Sequence, residues 1–164
     1  MEMAVVMPGG IFGPMLSTDY ATTVRLVERL VNGKMPGLPQ LWVGCVDVRD
    51  VANLHFRAMT DAKAKGERFL CLSSDGLNSM ESLIPGLKAQ LGERGQKIPT
   101  RVLPNWLLKV VAFWDADVAW TVPELGKRKD ASSEKAQRVL GWKPRTAVES
   151  LVATARSLEE FASV

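Results

Sequence analysis

Tyr20 is the single tyrosine of the chain and the first residue to test for chemistry. Carbonyl reduction by hydride transfer uses a phenol as proton donor, with a lysine four residues on along the same helix face lowering the phenol pKa. Position 24 is Val24, so that pair is not made, and Tyr20 reads as an anchor at the start of its helix. His55, the only histidine, falls in a helical stretch with no serine or cysteine nucleophile motif beside it and reads as a core or surface histidine. Cys45 and Cys71 lie in apolar, strand-like runs; without a second cysteine pair or histidine spacing they read as buried free thiols. No catalytic residue and no metal ligand is assigned.

A phosphate cradle is the second chemistry to test. It needs a glycine-rich turn after a strand, so that backbone amides and a helix N-terminus approach the pyrophosphate. The candidate is Pro8-Gly9-Gly10-Ile11-Phe12-Gly13. Read as G-x-G-x-x-G it has Pro8 at the first glycine, read as G-x-x-G-x-x-G it has Met7 there, and Pro14 stands where a helix should begin. The cradle reading fails, and taken alone these residues make a tight exit from a strand.

The elements around these residues follow from periodicity. Ala4-Val5-Val6-Met7 reads as a buried strand, of the kind found in sheets covered on both faces, although nothing precedes it to pair with it. Helical spacing of Val24, Val27, Leu30 and Val31 predicts a helix over 20–31, with Thr18 or Asp19 as N-cap and Gly33 past its end. Met35-Pro36-Gly37-Leu38-Pro39 is a stiff loop. Residues 41–46 read as a strand, Asp50 as the N-cap of a helix from Val51, and 68–72 as another strand. Residues 79–91 should be helical, with Pro85-Gly86 kinking the helix or delaying its start. Residues 99–104 form an extended connector, Asn105 caps an apolar helix through Phe113, Ser132 opens a helix closed by Gly141, and a last helix covers 147–161.

Composition excludes several classes. The chain has 164 residues, 46% apolar and 24% charged, as in ordinary globular proteins, and one domain is expected. No stretch reaches the roughly 20 continuous apolar residues of a membrane span, the closest, 106–114, being interrupted by Lys109. Residues 1–14 lack the pattern of a secretory signal, so a cytoplasmic protein is expected. The net charge of +3 comes from 21 basic and 18 acidic residues spread along the chain; only Lys127, Arg128 and Lys129 form a run, with no aromatic-rich basic stripe to mark a nucleic-acid surface.

Three segments, in order, resemble the C-terminal portion of the extended short-chain dehydrogenase/reductases, the NAD-dependent epimerase/dehydratase and dihydroflavonol reductase-like group. Met7-Pro8-Gly9-Gly10-Ile11-Phe12-Gly13-Pro14 is similar to that family's Arg/Asn-Pro-x-x-Val-Tyr/Val-Gly-Pro segment. Asp47-Val48-Arg49-Asp50-Val51-Ala52 is similar to its His-Val-x-Asp-Val-Ala segment, with Asp47 in place of His, and Leu140-Gly141-Trp142-Lys143-Pro144 matches its Leu-Gly-Trp-x-Pro signature.

The resemblance implies an α/β fold, the late strands of a Rossmann-type sheet followed by a helical substrate-binding part, divided as 1–75 and 76–164. It implies that Pro8, Gly9, Gly10 and Ile11 line the nicotinamide end of NAD or NADP, with NADP preferred, and that Thr22 or Thr23, of which Thr23 is taken, lies near the cofactor phosphates. Met7 replaces a more polar residue of the family. The second and third motifs read as structural, through the Asp50 cap, the left-handed Gly141 and the packing of Trp142. The glycine-rich turn and the Tyr/Lys pair of the family lie upstream of the segment that Met1 begins. The expectation is therefore the substrate-binding portion of a reductase of a small aldehyde or ketone, inactive alone, partnered by the missing N-terminal half or by itself, with no nucleic acid and no membrane. The alternative is a free-standing, non-catalytic binding or interaction module that reuses the fold.

Overall fold

The computed structural model describes residues 2–17, 21–114, 116–119, 121–128 and 130–162. Tyr20, the Thr18 and Asp19 cap candidates, and Lys129 lie outside the described residues.

Among the described residues five short strands form the sheets: β1 (Val5–Pro8), β2 (Gly10–Phe12), β3 (Trp42–Asp47), β4 (Arg68–Cys71) and β5 (Leu77–Ser79). β1 pairs in parallel with β4, Val5 opposite Arg68 and Pro8 opposite Cys71. β2 pairs in parallel with β3, Gly10 opposite Cys45 and Phe12 opposite Asp47, and β5 runs antiparallel on the other side of β3. The Pro-Gly-Gly run is therefore not an exit from the strand. The chain stays extended and changes partner at Gly9, whose amide still donates to the Cys71 carbonyl at 3.1 Å before β3 takes over at Gly10.

Glycine is needed at that junction because the backbone of β3 passes against it. A first side-chain carbon on Gly9 would collide with the Gly44 carbonyl oxygen and lie 2.9 Å from Leu72 Cδ2, and one on Gly44 would lie 2.8 Å from the same Leu72 atom.

The helices are α1 (Thr22–Val31), α2 (Val48–Thr60), α3 (Met80–Leu91), α4 (Glu93–Gln96), α5 (Asn105–Val111), α6 (Ala116–Ala119), α7 (Glu134–Leu140) and α8 (Ala147–Ala162). Three cap expectations are corrected. α2 starts at Val48, three residues earlier than expected, because the Asp47 carboxylate accepts from the Arg49 amide at 2.9 Å; Asp50 lies inside the first turn, buried. α5 is preceded by Pro104 without a side-chain cap, and Asn105 is its first helical residue. Ser133, not Ser132, flanks α7, although Ser132 Oγ accepts from the Glu134 amide at 3.1 Å.

α3 also departs from expectation. Ser79 caps it, its hydroxyl accepting from the Ser82 amide at 3.1 Å, and the helix runs without delay through Pro85. Gly86 lets α8 come close: a side-chain carbon there would lie 2.9 Å from Val148 Cγ2. Packing of α3 against α8 outweighs the lost hydrogen bond at proline. Gly141 takes the left-handed cap position as expected, with φ 59°.

Two apolar clusters hold these elements together. One joins α1, α3 and α8 through Val27, Leu30, Leu83, Ile84, Leu151 and Val152. The other packs Val46, Leu54, Phe69, Cys71, Leu140 and Trp142 between the strands, α2 and α7. Each draws on residues before and after position 75.

Candidate functional site

Residues 8–15 run along the C-terminal end of β1 and through β2, where ligands collect in parallel sheets. Pro8 is exposed, Ile11 is 37% exposed, and Gly9 and Gly10 are half-buried between them. The segment is then pinned from behind. Gly13, at φ +122°, donates its amide to Thr154 Oγ1 at 2.7 Å, and Met15 donates to Ser157 Oγ at 2.9 Å, both on α8. Gly13 cannot carry a side chain at that φ, and its missing carbon would lie 3.0 Å from Val48 Cγ1.

An ionic cluster sits behind this segment. Asp47, 1% exposed, takes Arg49 in a two-point grip, Nε to Oδ1 at 2.8 Å and Nη2 to Oδ2 at 2.7 Å. Burial raises the Asp47 carboxyl, but the hydrogen bonds and charge of Arg49 outweigh it and hold the group below its ordinary value. Asp50 accepts from the Arg145 amide at 2.8 Å and from its guanidinium, while its carbonyl accepts the indole N–H of Trp142 at 3.0 Å. The three motifs that carry the resemblance thus meet: the first pairs with the second through β2 and β3, and the third is tied to the second through Asp50.

A cavity of about 340 Å³ opens beside this framework, lined by α1, the 35–39 loop, β3 and α5. The 35–39 loop is held by Leu38, whose amide donates to the Arg101 carbonyl at 2.8 Å and whose carbonyl accepts from the Leu103 amide at 2.8 Å. Gly37 permits the close approach, since a side-chain carbon there would lie 2.7 Å from both the Arg101 oxygen and Leu103 Cγ. Leu107, Leu108 and Val111 turn one side of α5 into the cavity, while Trp106 and Val110 on its other side are exposed.

Pro8, Gly9, Gly10 and Ile11 therefore form one contiguous stretch, whereas Thr23 lies half-buried in the first turn of α1, and it is its neighbour Thr22 that lines the cavity. His55 is exposed on α2, its Nδ1 2.9 Å from the Val51 carbonyl oxygen. Cys45 and Cys71 are buried free thiols. Sequence reasoning missed the cavity-facing side of α5 and the anchoring by Thr154 and Ser157. The spacing of Leu107, Leu108 and Val111 carried the first signal, whereas partners 141 and 142 residues apart leave no local pattern. Among the described residues no helix is long and apolar enough to cross a membrane.

No family model matches the chain. Over 74 residues, 45% of the chain, it is 35% identical to cinnamoyl-CoA reductase 1 of Oryza sativa subsp. japonica. It is 32% identical over 74 residues to tetraketide alpha-pyrone reductase 2 of Arabidopsis thaliana; the two matches cover 22% and 23% of those proteins. Among solved structures, gox2253 matches 95% of the chain with a TM-score of 0.72 at 22% identity, over 48% of its own length. Yeast methylglyoxal/isovaleraldehyde reductase Gre2, complexed with NADPH, matches 99% with a TM-score of 0.70 at 22% identity, over 44% of its length. UDP-glucuronic acid 4-epimerase from Bacillus cereus, in complex with UDP-glucuronic acid and NAD, matches 96% with a TM-score of 0.64 at 17% identity, over 45% of its length. The chain spans under half the length of these solved structures. The motifs that meet around Asp50 and along β2 resemble those of the extended short-chain dehydrogenase/reductases, and it is to the C-terminal half of such reductases that the chain is similar in fold.

Proposed function

We propose that the chain is the substrate-binding portion of an NAD(P)-dependent oxidoreductase that reduces an aldehyde or ketone, with NADP(H) preferred over NAD(H). One observation carries this reading: a single strand, β3, serves both the candidate cofactor wall and the cavity. Gly44 packs against Gly9, and the adjacent Val43 lines the cavity. The exposed Pro8 and Ile11 offer an apolar wall that suits the face of a nicotinamide ring, and the same stretch lacks a phosphate cradle. In this reading residues 8–11 hold the nicotinamide end, Thr23 lies toward the phosphates, and the reduced nicotinamide supplies the hydride. NADP(H) is the cofactor put forward in this reading, and Gre2 complexed with NADPH is among the solved structures that the chain matches in fold.

The proton donor and the pyrophosphate turn come, in this proposal, from a complementary half docked on β1; self-association of the chain over the same edge would cover that edge without supplying either group. Among the described residues β1 pairs on one side only. The Val5 and Gly9 amides both donate toward β4, so the Val6 amide points to the open edge, where Pro8 has no N–H to offer. Met7 and Leu70 leave side chains exposed on neighbouring strands, and Met59 on α2 is 84% exposed.

The test is co-expression with the N-terminal half of a related reductase carrying the glycine-rich turn and the Tyr/Lys pair. The expected pair co-purifies and oxidises NADPH with an aldehyde, and Ile11→Glu weakens NADPH binding at least about tenfold at unchanged Tm. A lone chain that is a compact, cooperatively melting monomer and gains no hydrogen-exchange protection from the other half overturns the proposal in favour of a free-standing module.

A further inference from the structure

We infer that the cavity takes a carbonyl compound whose body is a wholly apolar alkyl or arylalkyl group, with no charge and no hydroxyl beyond the reacting end; this rests on the reductase reading above and names the substrate class of that site. What the interior can hydrogen-bond decides the matter. Among the described residues no carboxylate, side-chain amide or imidazole lines the cavity. Arg29 already has an interaction within the protein, and Thr22 and Arg25 are exposed, so these two belong to the mouth. Thr121 donates its hydroxyl to the Val118 carbonyl at 2.7 Å. Leu41, Leu103 and Leu108 are buried walls, and the adjoining Leu38 amide and carbonyl are paired with Arg101 and Leu103.

Such a lining selects against polar groups. An apolar body gains by leaving water for these walls. A hydroxyl or a charge carried inside loses its hydration and finds little in return. A sugar, with a hydroxyl on nearly every carbon, is thereby excluded. The volume sets the length. A cavity of roughly 150 Å³ with aliphatic and aromatic walls holds one benzene, and this one, at about 340 Å³, takes a body of roughly ten to twelve carbons. Position sets the orientation: Val43 lines the cavity and the next residue, Gly44, packs on Gly9, so the carbonyl belongs at the β3 end, beside the candidate cofactor wall. The rest of the body runs toward Leu107 and Val111 on α5.

Titration of the 164-residue chain with 2-hexanone, 2-octanone, 2-decanone, 2-dodecanone and 2-tetradecanone, followed by calorimetry and by side-chain methyl shifts, tests this. Affinity should rise about fourfold with each added CH₂ and level off by about the dodecanone, with methyl shifts on Val43, Leu107 and Val111. Placing a hydroxyl on the far end, in 10-hydroxy-2-decanone, should weaken binding at least about tenfold relative to 2-decanone. Val111→Phe, which takes up part of the space, should move the levelling-off to a shorter ketone; Leu107→Phe serves if that variant melts early. Affinity that keeps rising through 2-tetradecanone in both proteins, or methyl shifts that miss the cavity, overturns the site. Equal binding of 2-decanone and its hydroxy derivative overturns the apolar selection. Neither NADPH nor an N-terminal half enters this titration, so its failure is distinguishable from failure of the Ile11 test, which alone bears on the reductase reading.

Discussion

The hydroxyl of Thr154 accepts a hydrogen bond from the Gly13 amide at 2.7 Å while donating to the Ser150 carbonyl at 3.0 Å. The last helix of the chain thereby holds the first motif in place from 141 residues away. Thr154→Val keeps the shape and leaves the buried Gly13 amide without its acceptor, so it should cost about 1–3 kcal/mol. Thr154→Ser should recover most of that. Urea unfolding of the three proteins reads the difference, and the Gly13 amide should exchange faster in the valine variant alone.

The two glycines before Ile11 should respond differently to substitution. A side chain on Gly9 meets the Gly44 backbone, which cannot yield, whereas one on Gly10 meets the Phe12 ring edge at 3.1 Å. Gly9→Ala should cost about 2–3 kcal/mol or more, and Gly10→Ala about 1 kcal/mol or less. In the complemented protein Gly10→Val should then weaken cofactor binding more than it lowers Tm. Parallel thermal melts and NADPH titrations would show the opposite if Gly10 served packing only.

Acid should unfold the chain in part through Asp47. Its folded pKa is depressed, so its contribution is present above the ordinary aspartate value of about 3.9 and is lost as pH falls through the lower folded value. Asp47→Asn should lower stability near pH 7 by about 1–2 kcal/mol, the side chain being buried but Arg49 45% exposed. It should also flatten the stability curve between about pH 4 and pH 2. Denaturant midpoints across that range measure both.

Neither cysteine should react in the folded state. Burial, with Asp75 adding to it, pushes the Cys45 thiol up to about 12, and burial with Asp50 does the same for Cys71. Alkylation at pH 8 should leave both unlabelled in native protein and label both in denaturant, as intact mass spectra would show. Rapid native labelling of Cys71 would indicate that β4 opens locally.

The isolated chain should not turn over NAD(P)H with any aldehyde or ketone, because Val24 stands where a lysine would serve Tyr20. Loss of general acid catalysis alone costs about 10²–10⁴-fold. Turnover that co-purifies with the 164 residues and disappears in Gly10→Val would contradict this.

Local patterns carried much of the architecture. Helical spacing marked α1 and α8, left-handed Gly141 marked the end of α7, and apolar runs marked β1, β3 and β4, because each of these depends on residues within one or two turns. The same locality explains the errors. Asp47 and Asp50 are both good N-caps by type, and what separates them is Arg145, which engages Asp50 from 95 residues away. Leu77-Asn78-Ser79 has little strand character and becomes β5 because β3 offers it an unpaired edge. The ordered motifs carried the family resemblance in the sequence alone, since they are covalent facts of the chain. The change of strand partner at Gly9, the placing of Arg25 and Arg29 beside an apolar cavity, and the hold of Thr154 on Gly13 were decided by tertiary structure, because each depends on backbone or side chains that only folding brings within contact.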